Sequence, residues 1–439
     1  MVRHNGCLGL AGLIWFAAAL PLSSQIPELE QRFPWFSKAA RQPEYPEIVV
    51  DVAWLAKRLD GDDIFPIDLR PPSSYHAGHL PGAVNLRFPA DPAESARVRK
   101  LMEVAGYRTP QVPVLYGGVE DRPALGQAYL ALAGAGWNDV KVLGANDGAW
   151  ARLALKATTE PPPQPARQAV LPPYPAKPVF ITREELRAGF GRGGFEVLDL
   201  RDPGGWGSGF EAPPRFAGGH VPNSLPFDVL SLLPAAGWPD PAKARAALAA
   251  LGPRSSERVD VEATFLLYGD GPADSRLGLS YLLLRLLGVS ARVFPGGFAE
   301  WEADARDPVV RVLGAGELKA MLEREQNASG AGEKPLQDRP PERFAIFDLR
   351  EDWDYDEGHI PGAISLPERL FAERFEAVLR ERWPATDTSS FPLVFYCYGR
   401  DCTRSRNCAT LAAQKGFRNL LWLREGMSGW AGAGLPGAR

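Results

Sequence analysis

The chain has 439 residues, of which 45% are hydrophobic and 23% charged, with a formal net charge of −4. At ~150 residues per domain this length predicts about three globular domains, each able to bury a core. The composition is that of an ordinary soluble chain, and its balance excludes a global basic field for nucleic acid.

The N-terminus reads as an export signal. Arg3 and His4 form a basic start, an apolar run spans Cys7 to Leu20, and Pro21 to Ser24 offers a cleavage site. The run falls short of the ~20 residues of a bilayer span. Residues 1–24 are therefore expected to be a signal peptide, with an uncleaved anchor as the alternative. The mature protein is expected to be periplasmic or secreted, with no stable membrane span. It keeps three cysteines, Cys397, Cys402 and Cys408, within one short segment. A disulfide scaffold would spread them through the fold, so clustering points to chemistry or a local redox pair.

One unit then recurs three times. Copy one, expected over residues 46–158, opens with an apolar strand from Ile64 to Asp68-Leu69-Arg70, followed by Gly78-His79-Leu80-Pro81. A second strand ends at Tyr116, an apolar helix stops at Gly136, Val140 to Leu143 forms a third strand, and Trp150 closes the copy. A Pro-rich linker, 159–178, separates it from copy two, 179–306, where the same landmarks are Asp199-Leu200-Arg201, Gly219-His220-Val221-Pro222, Tyr268, Gly288, Ala291 to Phe294 and Trp301. A Gly-rich insertion, Gly204 to Pro214, lengthens its first half. Copy three, 309–439, repeats Asp348-Leu349-Arg350, Gly358-His359-Ile360-Pro361, Tyr396, Gly416, Leu420 to Leu423 and Trp430. Gln326 to Pro341 is polar and Gly/Pro-rich and reads as a loop inside it. Short apolar strands alternating with helices imply βαβ units and parallel sheets, whose sites form at the carboxyl ends of strands. Chemistry is expected in the loops after Tyr116, Tyr268 and Tyr396.

These motifs resemble the rhodanese family. Tyr355-Asp356-Glu357-Gly358-His359-Ile360-Pro361-Gly362-Ala363, Val394-Phe395-Tyr396-Cys397 and Gly426 to Trp430 follow Asp348-Leu349-Arg350 in the family's order. The resemblance implies three tandem α/β modules, each a five-stranded parallel sheet flanked by helices. It also implies a catalytic cysteine at the strand end, which matches Cys397. The position after the tyrosine is Gly117, Gly269 and Cys397 in turn, and seven further on stand Ala124, Arg276 and Arg404. Copies one and two therefore read as inactive modules with structural or binding roles.

Sulfane-sulfur transfer needs a thiolate, and a free cysteine with pKa near ~8.5 is mostly protonated. Loop amides and a helix N-terminus would favour the anion. Gly399 permits a tight backbone and Ser405 is expected to cap the helix; both, with Thr403, Arg400 and Arg404, are expected to bind a small anionic donor such as thiosulfate, and Arg406 adds positive charge for it. The expected cycle forms a Cys397 persulfide and passes its sulfur to a thiol, cyanide or a protein. No cofactor, metal or nucleic acid is called for, because neither cysteine gap has the Cys-x2-Cys form and no histidine lies near. The family's loop carries four residues between cysteine and arginine, whereas six separate Cys397 from Arg404. The added length leaves the donor open and holds Cys402, a resolving or redox thiol or an incidental one. Cys408 reads as a packing residue. The recurrence of His79, His220 and His359, and of the three Asp–Arg pairs, argues for structure over catalysis. Three readings remain: a sulfurtransferase, a non-turnover sulfur carrier or partner-binding protein, and a Cys397/Cys402 thiol-redox protein.

Overall fold

A computed structural model describes residues 47–144, 157–162, 169–175, 178–201, 219–235, 237–249, 263–328, 339–384, 389–400 and 402–438. The expected signal peptide, the Gly204 to Pro214 insertion and Trp150 lie outside these residues.

The first module contains β1 (Val49–Val50), α1 (Val52–Ala56), β2 (Ile64–Asp68), α2 (Pro72–Ala77), β3 (Val84–Asn85), α3 (Ser95–Val104), β4 (Val112–Tyr116), α4 (Arg122–Ala135) and β5 (Lys141–Leu143). The second contains α5 (Arg183–Gly189), β6 (Phe195–Asp199), β7 (Ser224–Pro226), α6 (Pro241–Ala249), β8 (Thr264–Tyr268), α7 (Ser275–Leu286), β9 (Ala291–Val293) and α8 (Gly297–Glu302). The third contains β10 (Val309–Val312), α9 (Ala315–Ala328), β11 (Ala345–Asp348), α10 (Asp352–Glu357), β12 (Ala363–Ser365), α11 (Glu368–Arg382), β13 (Leu393–Tyr396), α12 (Arg404–Gln414), β14 (Asn419–Trp422) and α13 (Gly426–Gly432). The sheets run β1-β5-β4-β2-β3, β7-β6-β8-β9 and β10-β14-β13-β11-β12, with parallel pairing throughout. Three tandem α/β modules with parallel sheets are thus present as expected.

Two expectations need correction. The second sheet has four strands among the described residues. Its fifth place is reduced to one bridge, in which Ile181 donates to the Val293 carbonyl and Val293 to the Val179 carbonyl, each at 2.9 Å. The supposed loop at Gln326 to Pro341 is helical through Ala328, because the apolar stripe Ala315, Leu318 and Leu322 continues to the buried Glu325, which accepts from Glu342 N–H at 2.6 Å.

The strands of the Asp-Leu-Arg motifs stop at the aspartate for a reason that recurs in every module. Arg350 folds back on the buried Asp348 with Nε at 3.0 Å and Nη2 at 2.7 Å, and Nη2 also donates to the Gly358 carbonyl at 2.7 Å. Asp348 pairs in register with Tyr396 on the neighbouring strand, whose hydroxyl donates to it at 2.5 Å and accepts from Ile360 N–H at 3.2 Å. Arg201, Asp199, Tyr268, Gly219 and Val221 reproduce this set; in module one Arg70 likewise clamps Asp68 and the Gly78 carbonyl, and Tyr116, in register with Asp68, accepts from Leu80 N–H. The histidines serve the same frame. His79 and His359 stack on Tyr75 and Tyr355 at 3.8 Å, and their backbones bridge to Thr158 and Ala438. His220 bridges instead to Val310 on β10, joining module two to module three.

The modules share cores. Helices α4 and α7 meet where a Cβ on Gly126 would lie 2.5 Å from Leu279 N, and one on Gly278 would lie 2.5 Å from Gln127 N. Tyr129 and Tyr281 face each other there, with ring centroids 6.1 Å apart. Helix α12 packs its Cys408, Ala409, Ala412 and Ala413 into a cluster that includes Leu186, Phe190 and Trp301 of module two. Among the described residues no helix is long and apolar enough to cross a membrane.

Backbone contact at Gly126 leaves no room for a methyl group. Gly126→Ala is expected to cost about 1–3 kcal/mol by forcing the two helices apart. Urea denaturation checks this against Gly432→Ala, where nothing stands within 4 Å of the added Cβ.

Candidate active site

In the third sheet β11 leads to one side, toward β12, and β13 to the other, toward β14. Their carboxyl ends therefore diverge and form the crevice where α/β sheets place ligands. Cys397 stands there, immediately after Tyr396, and is fully buried. Its carbonyl accepts from Met427 N–H at 2.8 Å, and the next carbonyl, of Tyr398, accepts from Ser428 N–H at 2.9 Å. Gly426 makes this approach possible: it has φ +55°, and a Cβ there would lie 2.3 Å from the Cys397 oxygen.

The residues on either side of Asp401 then fold over the thiol. Cys402 N–H donates to the Gly399 carbonyl at 3.0 Å, and the Cys397 thiol donates to the Cys402 carbonyl at 3.5 Å. Cys402 is itself buried in the same apolar cluster as Cys397. Cys397, Cys402 and Cys408 are all free thiols, so no disulfide joins them. Asp401 lies outside the described residues.

Ser405 does not cap the helix. Thr403 holds the cap position without a side-chain bond, and Ser405 is the second helical residue, buried beneath the loop. The helix begins at Arg404, ahead of the start that a Ser405 cap would set, and turns the Ser405 side chain inward. The Ser405 Oγ lies 3.4 Å from Cys397 Sγ and accepts from Trp422 Nε1 at 2.9 Å. Indole N–H can only donate, so the hydroxyl proton is left to point at the sulfur.

The arginines expected to greet an anion already hold carboxylates. Arg404 pairs with Glu351 at 2.8 Å, with Glu368 at 3.9 Å, and lies over the Tyr398 ring at 5.6 Å. Arg400 pairs with Glu425 at 2.7 Å. Both pairs are partly exposed, which makes them weak and exchangeable. Tyr398 stands at the rim and donates to Asp354 at 2.6 Å.

The thiol is also not activated in this state. Burial first, and then the adjoining Cys402, push Cys397 well above the ordinary thiol range, although the Ser405 hydroxyl pulls the other way. This reverses the expected direction, because desolvation outweighs the loop dipoles. Cys408 is raised likewise by burial, in keeping with a packing role.

Motif reasoning missed Glu351, Glu425 and Trp422. A signal was present. Gly297 and Gly426 share a positive φ and the same approach to the preceding strand's loop, yet the residue before them is Gly296 in module two and Glu425 in module three. Glu425 thus differs between modules alongside Cys397.

The equivalent loops elsewhere are filled by their own carboxylates. Gly118 N–H donates to Asp121 at 2.8 Å, and Asp270 N–H donates to Asp274 at 3.0 Å. Arg276 is bound to Asp274 and Asp270 at 2.7 and 2.6 Å. A Cβ on Gly269 would lie 2.2 Å from the Asp274 carboxylate, and one on Gly117 would lie 2.8 Å from Asp121 Cβ.

Two outcomes follow. A thiol with a raised pKa has less thiolate at pH 7, so iodoacetamide should label Cys397 roughly tenfold or more slower than a free cysteine peptide. The rate should rise with pH, and Cys402→Ser should accelerate it by removing one of the raising groups; peptide mass spectrometry reads both. Gly269→Cys should gain no sulfur-accepting activity, because Asp274 occupies the place. Mass spectrometry after thiosulfate would check this, an added sulfur on residue 269 being the contrary result.

Comparisons with known proteins place this geometry. The model of the rhodanese-like domain matches residues 51–150, 182–304 and 317–433. An HTH-type transcriptional regulator of Mycobacterium tuberculosis, Rv0324, is 32% identical over 101 residues, 23% of this chain and 40% of its own length. The chain therefore spans less than half of that regulator. A sulfurtransferase of Allochromatium vinosum is 30% identical over 95 residues, 22% of this chain and 78% of its own length. SseB of Mycobacterium tuberculosis, which carries the provisional name thiosulfate sulfurtransferase, is 25% identical over 283 residues, 61% of this chain and 91% of its own length. Among solved structures, an anaerobic ergothioneine biosynthesis enzyme from Chlorobium limicola superposes with a TM-score of 0.46 at 18% identity, covering 60% of this chain and 69% of its own. With the family model matched three times in succession along most of its length, the chain belongs to the rhodanese-like domain family.

Proposed function

We propose that this chain is an exported sulfurtransferase whose third module, residues 309–439, is the active one. Modules one (46–158) and two (179–306) serve as its scaffold, with 159–178 as the linker. The observation that carries the reading is the single thiol at the carboxyl end of β13, in the position where the other modules hold Gly117 and Gly269. Export rests on the N-terminal sequence alone, and a thiosulfate-type donor on the two arginines beside the thiol.

The cycle has two displacements. The Cys397 thiolate attacks the outer sulfur of an anionic donor such as thiosulfate. The new S–S bond forms as the donor's S–S bond breaks, and sulfite leaves with the electron pair. A thiol, cyanide or protein acceptor then takes the outer sulfur and returns the thiolate. Because Cys397 is fully buried, the first step requires the loop of residues 397–403 to open locally. Opening hydrates the thiol and lets the donor exchange with Glu351 and Glu425 for Arg404 and Arg400, where it is held by charge-assisted bonds.

A second reading, a thiol-redox protein, is favoured by the fold of the loop, which sets Cys397 Sγ 3.5 Å from the Cys402 carbonyl oxygen in one shared apolar cluster. A thiosulfate:cyanide assay separates the two. Turnover in the wild type, abolished in Cys397→Ser, is the expected outcome. A stable persulfide without turnover would make Cys397 a carrier. A Cys397–Cys402 disulfide cycle with no sulfur uptake would sink sulfur transfer altogether.

A further inference from the structure

The three strand-to-helix loops lengthen along the chain. They hold residues 117–121, 269–274 and 397–403. In each, one residue near the helix turns back over the residue that follows the tyrosine. In the first two modules it is a carboxylate, Asp121 over Gly117 and Asp274 over Gly269. In the third the residue at that place is Cys402. The turn from Cys402 N–H to the Gly399 carbonyl brings Cys402 back onto Cys397, whose sulfur lies 3.5 Å from the Cys402 carbonyl oxygen. A carboxylate in that place would repel a thiolate or persulfide, whereas a thiol can react with one.

We propose that Cys402 resolves the Cys397 persulfide, so that the third module releases hydrosulfide and closes on a Cys397–Cys402 disulfide. The proposal rests on the sulfur-transfer reading above. The Cys402 thiolate attacks the inner sulfur, Cys397 Sγ. The Cys402–Cys397 S–S bond forms and the bond to the outer sulfur breaks. Hydrosulfide leaves with the electron pair, taking up the proton that Cys402 gave up. The two cysteine sulfurs are oxidised and the sulfane sulfur is reduced, so no outside oxidant enters. A dithiol reductant then reopens the disulfide for the next cycle.

Burial favours this course. Both sulfurs lie in one apolar cluster with Phe395 and Trp422, which shields the persulfide from bulky external acceptors. The internal thiol has no such barrier and acts at a high effective concentration. Cys408 belongs to the same cluster and feels Cys402 electrostatically, but it sits on helix α12 and is not part of the turn that folds Cys402 over Cys397.

The test uses the full chain, reduced, freed of reductant and treated with thiosulfate without an acceptor. Sulfide is measured by methylene blue, thiols by titration, and sulfur position by peptide mass spectrometry. The wild type should release sulfide in proportion to chain, lose two thiols and yield a Cys397–Cys402 crosslink. Cys408→Ser should behave alike. Cys402→Ser should keep an added sulfur on Cys397 and release roughly tenfold less sulfide or lower. Cys402→Ala, with circular dichroism, guards against a fold defect in the serine variant. Equal persulfide in wild type and both Cys402 variants, with Cys402 still free, would overturn the proposal and leave sulfur transfer standing. Sulfur found on Cys402 itself would overturn it in favour of a relay. No sulfur on Cys397 in any variant would overturn both readings.

Discussion

The rest of the structure hangs on a buried aspartate at the end of one strand, clamped by an arginine two residues on and by a tyrosine hydroxyl from the next strand. Removing one member of such a buried pair typically costs about 3–5 kcal/mol, because the other charge is left without water or partner. The arginine also holds the Gly-His-x-Pro carbonyl, and the tyrosine accepts from the amide two residues further along. One small network thus fixes two strand ends and a loop. In the third module it sets Tyr396, and with it the starting point of the loop that begins at Cys397. The Asp–Arg clamp is intact in the modules that have glycine where Cys397 stands. It is therefore a device of folding that does not depend on a thiol in the loop.

With the frame constant, function is written in the loop that follows. Loops of increasing length move the helix start and change what turns inward. Modules one and two satisfy their loop amides with their own Asp121 and Asp274 and have no need of a ligand. Module three brings thiols and leaves its arginines on partly exposed glutamates. Module two nevertheless shapes this site. Phe190 O accepts from Gln414 on α12 at 3.1 Å, and His220 lies 6.2 Å from Trp422, which holds Ser405. Burial beside Arg201, Arg406 and Arg424 pushes His220 well below its ordinary range, so it stands there as a neutral ring.

Much of this was legible in the sequence. The repeat spacing marked three parallel sheets, and the recurrence of Asp–Arg and Gly-His-x-Pro in thiol-less copies marked them as structural. Helix stops at Gly136, Gly288 and Gly416 all have positive φ. Other features depend on three-dimensional packing and leave no local pattern. Ser405 reads as a cap because a serine precedes an apolar helix, yet the helix already begins at Arg404 and the hydroxyl is taken up by Trp422 and the Cys397 sulfur. Arg400 and Arg404 read as an open anion site because Glu425 and Glu351 are distant in sequence. The raised Cys397 pKa comes from burial depth, which competes with dipoles that sequence reading could only count as favourable. The reduced first strand of module two is hidden because one bridge at Phe180 replaces a pairing that the motif does not encode.

The helix pair between modules one and two has one more meaning. Gly126 and Gly278 occupy equivalent places in their modules, as do Tyr129 and Tyr281, and each meets the other's neighbourhood. Equivalent patches facing one another make an isologous contact, the kind that closes on itself after two members. Arg406 stands at that place in the third module, where its bulk forbids the same close approach. The array therefore consists of a self-complementary pair with a single unit attached through a different face. Pseudo-twofold symmetry ends its growth, and the unit left outside that symmetry is the one that carries Cys397, Cys402 and Cys408.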